Sequence, residues 1–208
     1  ASNGAILNYR YDPKGNVRPW DKTLYIKVVE GFLKEGDTIK IVFGDKSSGS
    51  KGMRLQTFCE ETYEFHTLVD PIATFCYQPL PTQPSIQIIS GKPEKFLAIA
   101  PSICKTNEPF QIKFKGEDKW GNPSNQSEKT FYFNTGSVIK GLPKEVKISK
   151  GQFVKTLNNL LVTKECKFEL NFCDVHGNRI FSSNPISVQK EPECKFYWGD
   201  LHGQSEET

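Results

Sequence analysis

Asp200 and His202 stand two residues apart in "YWGDLHGQS", close to the last residue of a 208-residue chain. On an extended segment residues i and i+2 project from the same face, so a carboxylate and an imidazole would leave the end of a strand side by side. Oxygen and nitrogen donors in that pairing suit a first-row divalent cation such as manganese, iron or zinc. This is the place in the sequence where metal chemistry is expected.

The other chemistry-bearing residues read more simply as structure. "GDKSSGSKGMRLQTF", Gly44 to Phe58, has two glycines at the spacing of a phosphate-cradling loop, but Ser50 and Lys51 stand in reversed order and the "MRLQTF" part alternates like a strand. A glycine-rich hairpin is expected there. His66 lies four residues before Asp70 without the strained G-x-S-x-G nucleophile turn of a hydrolase, and reads as a half-buried strand histidine. A short repeat occurs as "DPKGN" at Asp12, "DKWGN" at Asp118 and "DVHGN" at Asp174. Asp accepts a backbone N–H two residues on, while Gly and Asn tolerate positive φ, so each repeat predicts a tight reversal. A calcium loop would need more oxygens than one carboxylate per motif supplies. His176, inside the third repeat, is expected to be a solvated turn residue.

The cysteines at 59, 76, 104, 166, 173 and 194 form no C-x-x-C and no close pair with histidine, which argues against zinc and a redox pair. Reduced thiols are expected. Cys166, in phase with Phe168, Leu170 and Phe172, reads as buried, and Cys173 falls on the opposite phase.

Composition narrows the partners. The 27 basic and 24 acidic residues are interleaved, and a net charge of +3 offers no concentrated basic surface, so nucleic acid is not an expected partner. No apolar run approaches the roughly 18 residues a bilayer span requires, and no signal-like start is present. The reading leans to the cytoplasm, with export left open. The chain starts at Ala1 and its one methionine is Met53, as in a processed or trimmed product.

The elements that must position these residues are strands. Ile39, Ile41 and Phe43 alternate in "TIKIVF"; Phe110, Ile112 and Phe114 alternate in "PFQIKFKGED"; Phe131 and Phe133, then Phe168, Leu170 and Phe172, do the same. Period-two alternation with one wet face favours antiparallel sheets. "FVKTLNNLLV" fits a helical stripe as well as a strand, and is read as a strand. Strands are expected at 23–30, 38–43, 53–60, 63–69 and 85–89. Seven more are expected at 95–100, 109–117, 129–134, 144–149, 152–157, 166–173 and 186–190. The fold class is all-β: two tandem antiparallel β-sandwich domains, the second immunoglobulin-like. Domains are expected at 1–92, an irregular β-sandwich, and 93–192, an immunoglobulin-like sandwich hinged at Pro93. Residues 193–208 would start a truncated metallohydrolase domain.

"YWGDLHGQS" resembles the opening of the catalytic domain in a bacterial family of uncharacterised metallohydrolases related to the PHP (polymerase and histidinol phosphatase) superfamily. "GDTIKIVFGDKSSGSKGMRLQTF", "FHTLVDP", "EDKWGNPS" and "FCDVHGNRIFSSNPISV" resemble successive segments of the all-β region that precedes it. The resemblance implies that His202 takes the first histidine position of the metal motif and that Gln204 replaces the second. Asp200 would then be a ligand or a group orienting His202, making Asp200, His202 and Gln204 the metal residues. It further implies a non-catalytic accessory region that packs against or positions a missing C-terminal catalytic domain. That domain would be a metal-dependent hydrolase, a phosphoesterase by family, using manganese, iron or zinc. The 208-residue piece itself would be inactive and hold no tightly bound metal. The rival expectation is an immunoglobulin-like binding module for a carbohydrate or cell-surface partner, with Trp20, Trp120 and Trp198 as contacts. A complete enzyme built on these strands would need a clustered catalytic constellation that the sequence lacks.

Overall fold

A computed structural model describes residues 1–18, 20–133 and 138–197. Every regular element among them is a β-strand, and most strand pairs are antiparallel, in an arrangement of the β-sandwich type. No helix among the described residues is long and apolar enough to cross a membrane. The chain divides into two compact units, Ala1–Thr57 with Thr62–Gln87, and Phe58–Glu61 with Ile88–Thr208.

In the first unit β1 (Ile6–Asp12) pairs with β2 (Thr23–Glu30). β3 (Glu60–Glu64), β4 (Leu68–Val69), β5 (Gln78–Pro79) and β6 (Ser85–Ile88) come next, with β3 beside β6 and β4 beside β5, although Glu60 and Glu61 of β3 and Ile88 of β6 fall in the second unit. The β1–β2 turn needs glycine at position 15 because a Cβ there would lie 2.9 Å from the Thr23 side chain. The Tyr25 hydroxyl donates to the Gly15 carbonyl at 3.1 Å across the same close approach. β1 lies outside the expected strands, whereas the expected strand at 38–43 is absent and 53–60 yields only the start of β3. Alternation proposes a strand, but a strand persists only where a neighbour takes up its backbone groups.

The second unit holds β7 (Lys95–Ile99), β8 (Ile103–Lys105), β9 (Phe110–Glu117), β10 (Pro123–Ser124), β11 (Lys129–Phe133) and β12 (Ile139–Lys140). It continues with β13 (Glu145–Ile148), β14 (Val154–Val162), β15 (Cys166–Phe168), β16 (Asn171–Cys173), β17 (Arg179–Ser182) and β18 (Ile186–Gln189). One sheet runs β10–β9–β14–β12 with β7 also on β9, a second runs β13–β11–β16–β17, and a third runs β15–β18–β8. The β8–β18 pair is parallel. The expected strand 166–173 is broken at Leu170, whose N–H donates to Ser183 Oγ at 3.0 Å while the Ser183 N–H donates to the Leu170 carbonyl at 2.9 Å. These two bonds lock facing bends in adjacent strands.

The core keeps the alternation read from the sequence. Ile112 and Phe114 of β9, Phe131 of β11, Leu160 of β14 and Phe172 of β16 are fully buried. Phe172 is the hub: its ring stacks on Phe181 at 4.4 Å and meets Phe114 at 5.0 Å and Phe133 at 5.2 Å edge-on. Edge-to-face contacts align the positive ring edge with a negative ring face, which adds to the area buried. β14 explains its own helical look. A register shift between Leu157 and Leu160, with Asn159 at φ 58°, puts apolar residues three apart on one face. Asn accepts that left-handed conformation more readily than other non-glycine residues. The cysteine phases differ from expectation. Cys173 is buried beside buried Phe172, where the β16–β17 register shifts, and Cys166 is only half-buried.

Phe172→Ala should destabilise the second unit by about 3–5 kcal/mol, since its neighbours cannot all collapse into the space left. Urea denaturation monitored by a probe of that unit measures this, and a loss below about 1 kcal/mol would contradict the central place given to Phe172.

Candidate functional site

Strand directions gather three connections at one end of the second unit. β9 runs out into Asp118, and the chain returns into β11 at Lys129. β16 is antiparallel to β11, Tyr132 opposite Cys173, so it delivers Asp174 to the end where β11 begins. β13 is antiparallel to β11 as well, Lys129 opposite Ile148, so the turn after it reaches the same end, where the Gly151 N–H donates to the Asn125 carbonyl at 2.8 Å.

Two of the three sequence repeats build the same turn here. Asp118 Oδ1 accepts the N–H of Trp120 at 2.9 Å and of Asn122 at 3.0 Å, and the Gly121 N–H donates to the Asp118 carbonyl. Asp174 Oδ1 accepts the N–H of His176 and of Asn178, both at 2.9 Å, and the Gly177 N–H donates to the Asp174 carbonyl. Gly121 and Gly177 take φ of 89° and 83°, which is why glycine stands fourth in each repeat. The first repeat folds differently. Asp12 lies within β1 and Gly15 lacks a positive φ, although Asp12 Oδ1 still accepts the Lys14 N–H at 3.0 Å.

Asp118 is buried, and burial alone would raise its carboxyl. The Asn122 side-chain amide and the N–H groups of Gly91, Asn122 and Trp120 overcome that cost and lower it to about 2. Its Oδ2 receives the Gly91 N–H at 3.0 Å, and Ser124 Oγ donates to the Gly91 carbonyl at 2.6 Å. Gln126 adds a side-chain hydrogen bond to the Ser90 carbonyl, and Asn122 Oδ1 accepts the Cys59 N–H at 3.1 Å. Asp118 thus ties the turn to the strap at 90–91 with charge-assisted bonds. The Asp174 carboxyl is lowered in the same way, chiefly by the Asn178 side-chain amide. Beside Asp118, burial raises the Glu117 carboxyl, but Lys115 and Lys95, at 2.8 and 2.7 Å, bring it below the usual range. Both repeat carboxylates are taken up by backbone donors, which leaves them poor calcium ligands.

On this base Trp120 is 52% exposed, with the Lys119 ammonium 5.0 Å from its ring centroid. The other candidate contacts lie apart from it in sequence: Trp20, 45% exposed with its ring 4.9 Å from that of His66, belongs to the first unit, and Trp198 lies outside the described residues. Sequence reading missed Gly91 of the strap and Ser124 and Gln126, which donate to the strap carbonyls. The polar run after "DKWGN" was the available signal, but their partner is distant in the chain.

An open depression of about 410 Å³ lies over β8, β15 and β18 and is lined by Ser102, Lys167, Ser187, Gln189 and Phe196 among others. Its lining holds one amine and no carboxylate, thiol or imidazole, so it carries no acid–base pair. The remaining sequence candidates are structural. Asp70 accepts N–H groups of Ile72, Thr74 and Phe75, leaving His66 to approach Glu64 at 3.9 Å instead. The Gly44–Phe58 stretch makes local turns, the Asp45 carboxyl held low by the Ser47 N–H and hydroxyl, with neither the helix of a phosphate loop nor the expected hairpin strands. Burial, with Glu108 nearby, raises the Cys104 thiol to about 11, which makes it unreactive.

Asp200, His202 and Gln204 lie outside the described residues. Among the described residues no group of three or more His, Cys, Asp and Glu could hold a metal ion, and no helix is present. These findings overturn the metallohydrolase reading. A PHP-like α/β site needs converging ligands on alternating strands and helices, and the described residues offer neither. The resemblance to the PHP-related family, the accessory role to its catalytic domain, and the phosphoesterase assignment are all corrected accordingly.

No protein-family model matches the chain. It is 26% identical over 202 residues to an uncharacterized protein of Chlamydia trachomatis serovar D, covering 94% of this chain and 31% of that protein. It is 27% identical over 180 residues to uncharacterized proteins of Chlamydia muridarum and Chlamydia pneumoniae, covering 84% of this chain and 29% of each. The chain spans about a third of the length of the curated relatives it matches.

The Asp118 shift makes an acid-stability prediction. Its carboxyl titrates at 3.8 when unperturbed and at about 2 when folded, so its stabilisation is present above pH 3.8 and is lost as the pH falls to 2. Asp118→Asn should flatten the fall in melting temperature across that window and lower stability at neutral pH by about 1–3 kcal/mol. An unchanged acid slope would contradict the role given to this carboxylate.

Proposed function

We propose that the second unit is an immunoglobulin-like binding module for a carbohydrate or cell-surface partner, engaged through the loop end that presents Trp120. Its strand order supports the immunoglobulin-like reading. β7, β9, β14 and β12 take the places of one immunoglobulin sheet and β13, β11, β16 and β17 those of the other. β15 with β16, and β17 with β18, read as two bent strands of a continuous hairpin. β8, parallel to β18, takes the place of the first strand's switch to the opposite sheet. The edge-on Phe114–Phe172 pair stands where an antibody domain has its inter-sheet disulfide. β12 departs from the pattern by preceding β13 in the chain.

The observation that carries the binding reading is Trp120, a half-exposed indole on a turn that a buried carboxylate makes rigid. An aromatic side chain buries large area for few lost rotations, and a rigid turn has little ordering cost left when a ligand docks. Its face can stack on the apolar C–H face of a sugar ring, while Lys119 and the neighbouring turn offer hydrogen-bond donors. Binding sandwiches place such contacts on loops because loops vary without disturbing the sheets.

The test is a glycan array and then binding to intact cell surfaces, using the protein and its Trp120→Ala variant. Binding is expected and should weaken at least tenfold in the variant, the loss of about 1.4 kcal/mol or more typical of a central aromatic anchor. Equal binding by both proteins, or binding by neither, would overturn the proposal. A melting temperature for Trp120→Ala within a few degrees of the parent keeps the comparison clean.

A further inference from the structure

None of the described residues of the first unit is buried, whereas the second unit holds every buried residue described. Apolar residues are not lacking. Ile39, Ile41 and Phe43 alternate as one face of a strand, yet they are 37%, 46% and 51% exposed and no strand forms there. On β1, Tyr9 is 76% and Tyr11 59% exposed, in a sheet of two strands. A two-stranded hairpin is marginal in water on its own. Scattered apolar residues on a surface are ordinary, but a strand-patterned run without a sheet, in a unit without a core, is not. One nucleus is already in place: Phe43 stacks on Phe65 at 4.9 Å, and Phe65 meets Tyr63 edge-on at 5.4 Å.

We propose that the first unit is a partial lobe, and that a further apolar, strand-forming stretch of the same polypeptide, outside these 208 residues, completes it by pairing along Ile39–Phe43. The choice of occupant rests on the relatives. The first of them matches 94% of this chain but only 31% of its own length, so in it the corresponding region is joined to more than its own length again of other polypeptide. A tethered strand reaches its edge at a high effective concentration without needing a tight interface. The edge suits an apolar neighbour, since Lys40 is the one charged residue between Thr38 and Phe43. Pairing there would give the backbone groups of Ile39–Phe43 partners, beyond Thr38, whose N–H and carbonyl are already bonded to Ser2, and gather Ile39 and Ile41 with the Phe43–Phe65–Tyr63 rings in a common core.

Hydrogen–deuterium exchange read by mass spectrometry tests this on the 208-residue chain and on the polypeptide with its natural flanking sequence. In the shorter chain the amides of 39–43 should exchange near the unprotected rate while those of β9 and β14 are protected. In the longer polypeptide protection of 39–43 should rise about 100-fold or more. Ile41→Asp in the longer polypeptide should lower that protection about tenfold and leave β9 unchanged. Protection already present in the shorter chain would overturn the proposal, as a self-sufficient lobe if sedimentation shows a monomer and as a paired second copy if it shows a dimer. So would an unprotected 39–43 in the longer polypeptide, or a natural polypeptide that has no flanking sequence.

Discussion

The second unit depends on one constraint: aromatic faces carried by alternating strands of two sheets must be buried against each other. Phe114, Phe131 and Phe172 meet that constraint with no exposed surface. Each buried ring contributes about 1.5–3 kcal/mol from area alone, and the edge-on Phe114–Phe172 contact between β9 and β16 sets the spacing of their two sheets. Bends, bulges and turns elsewhere in the unit serve to keep these rings in register. The Asn159 bulge in β14 restores an apolar phase, and the paired bends at Leu170 and Ser183 let one hairpin serve two sheets.

The loop end is organised on a different principle. Asp118 is a buried charge made tolerable by several N–H donors, and the cost of burying a carboxylate is offset only because nearly every acceptor site is used. That saturation is what makes the turn rigid and also what keeps it from serving as an ion site. The same bonds fix the backbone of Trp120, whose N–H donates to Asp118 Oδ1. Asp174 repeats the design in a more exposed setting, so the two loops share a backbone geometry while presenting different side chains, an indole in one and an imidazole in the other.

Much of this was legible in the residue pattern. The alternation of Ile112 with Phe114, and of Leu170 with Phe172, named core residues directly, because a half-wet sheet imposes a period of two. The D-x-x-G-N repeats declared turns, because an aspartate with a glycine three residues on has a local reason to reverse the chain. The pattern misled where tertiary context overrode it. Ile39, Ile41 and Phe43 alternate without a partner strand, and Leu157 and Leu160 look helical only because a bulge lies between them. The family resemblance misled in another way, since short motif likenesses carry no information about whether helices and converging ligands accompany them.

What the sequence by itself determined is the set of local commitments: all-β character, the apolar face of each core strand, and the tight turns at Asp118 and Asp174. These depend on neighbours one to four residues away. Tertiary structure alone decided which strands pair, which of the three repeats share a turn, and that the carboxylate of Asp118 reaches Gly91 across 27 residues. The reason is physical. A hydrogen bond or a buried ring needs its partner in space, and chain separation carries almost no information about where that partner will be.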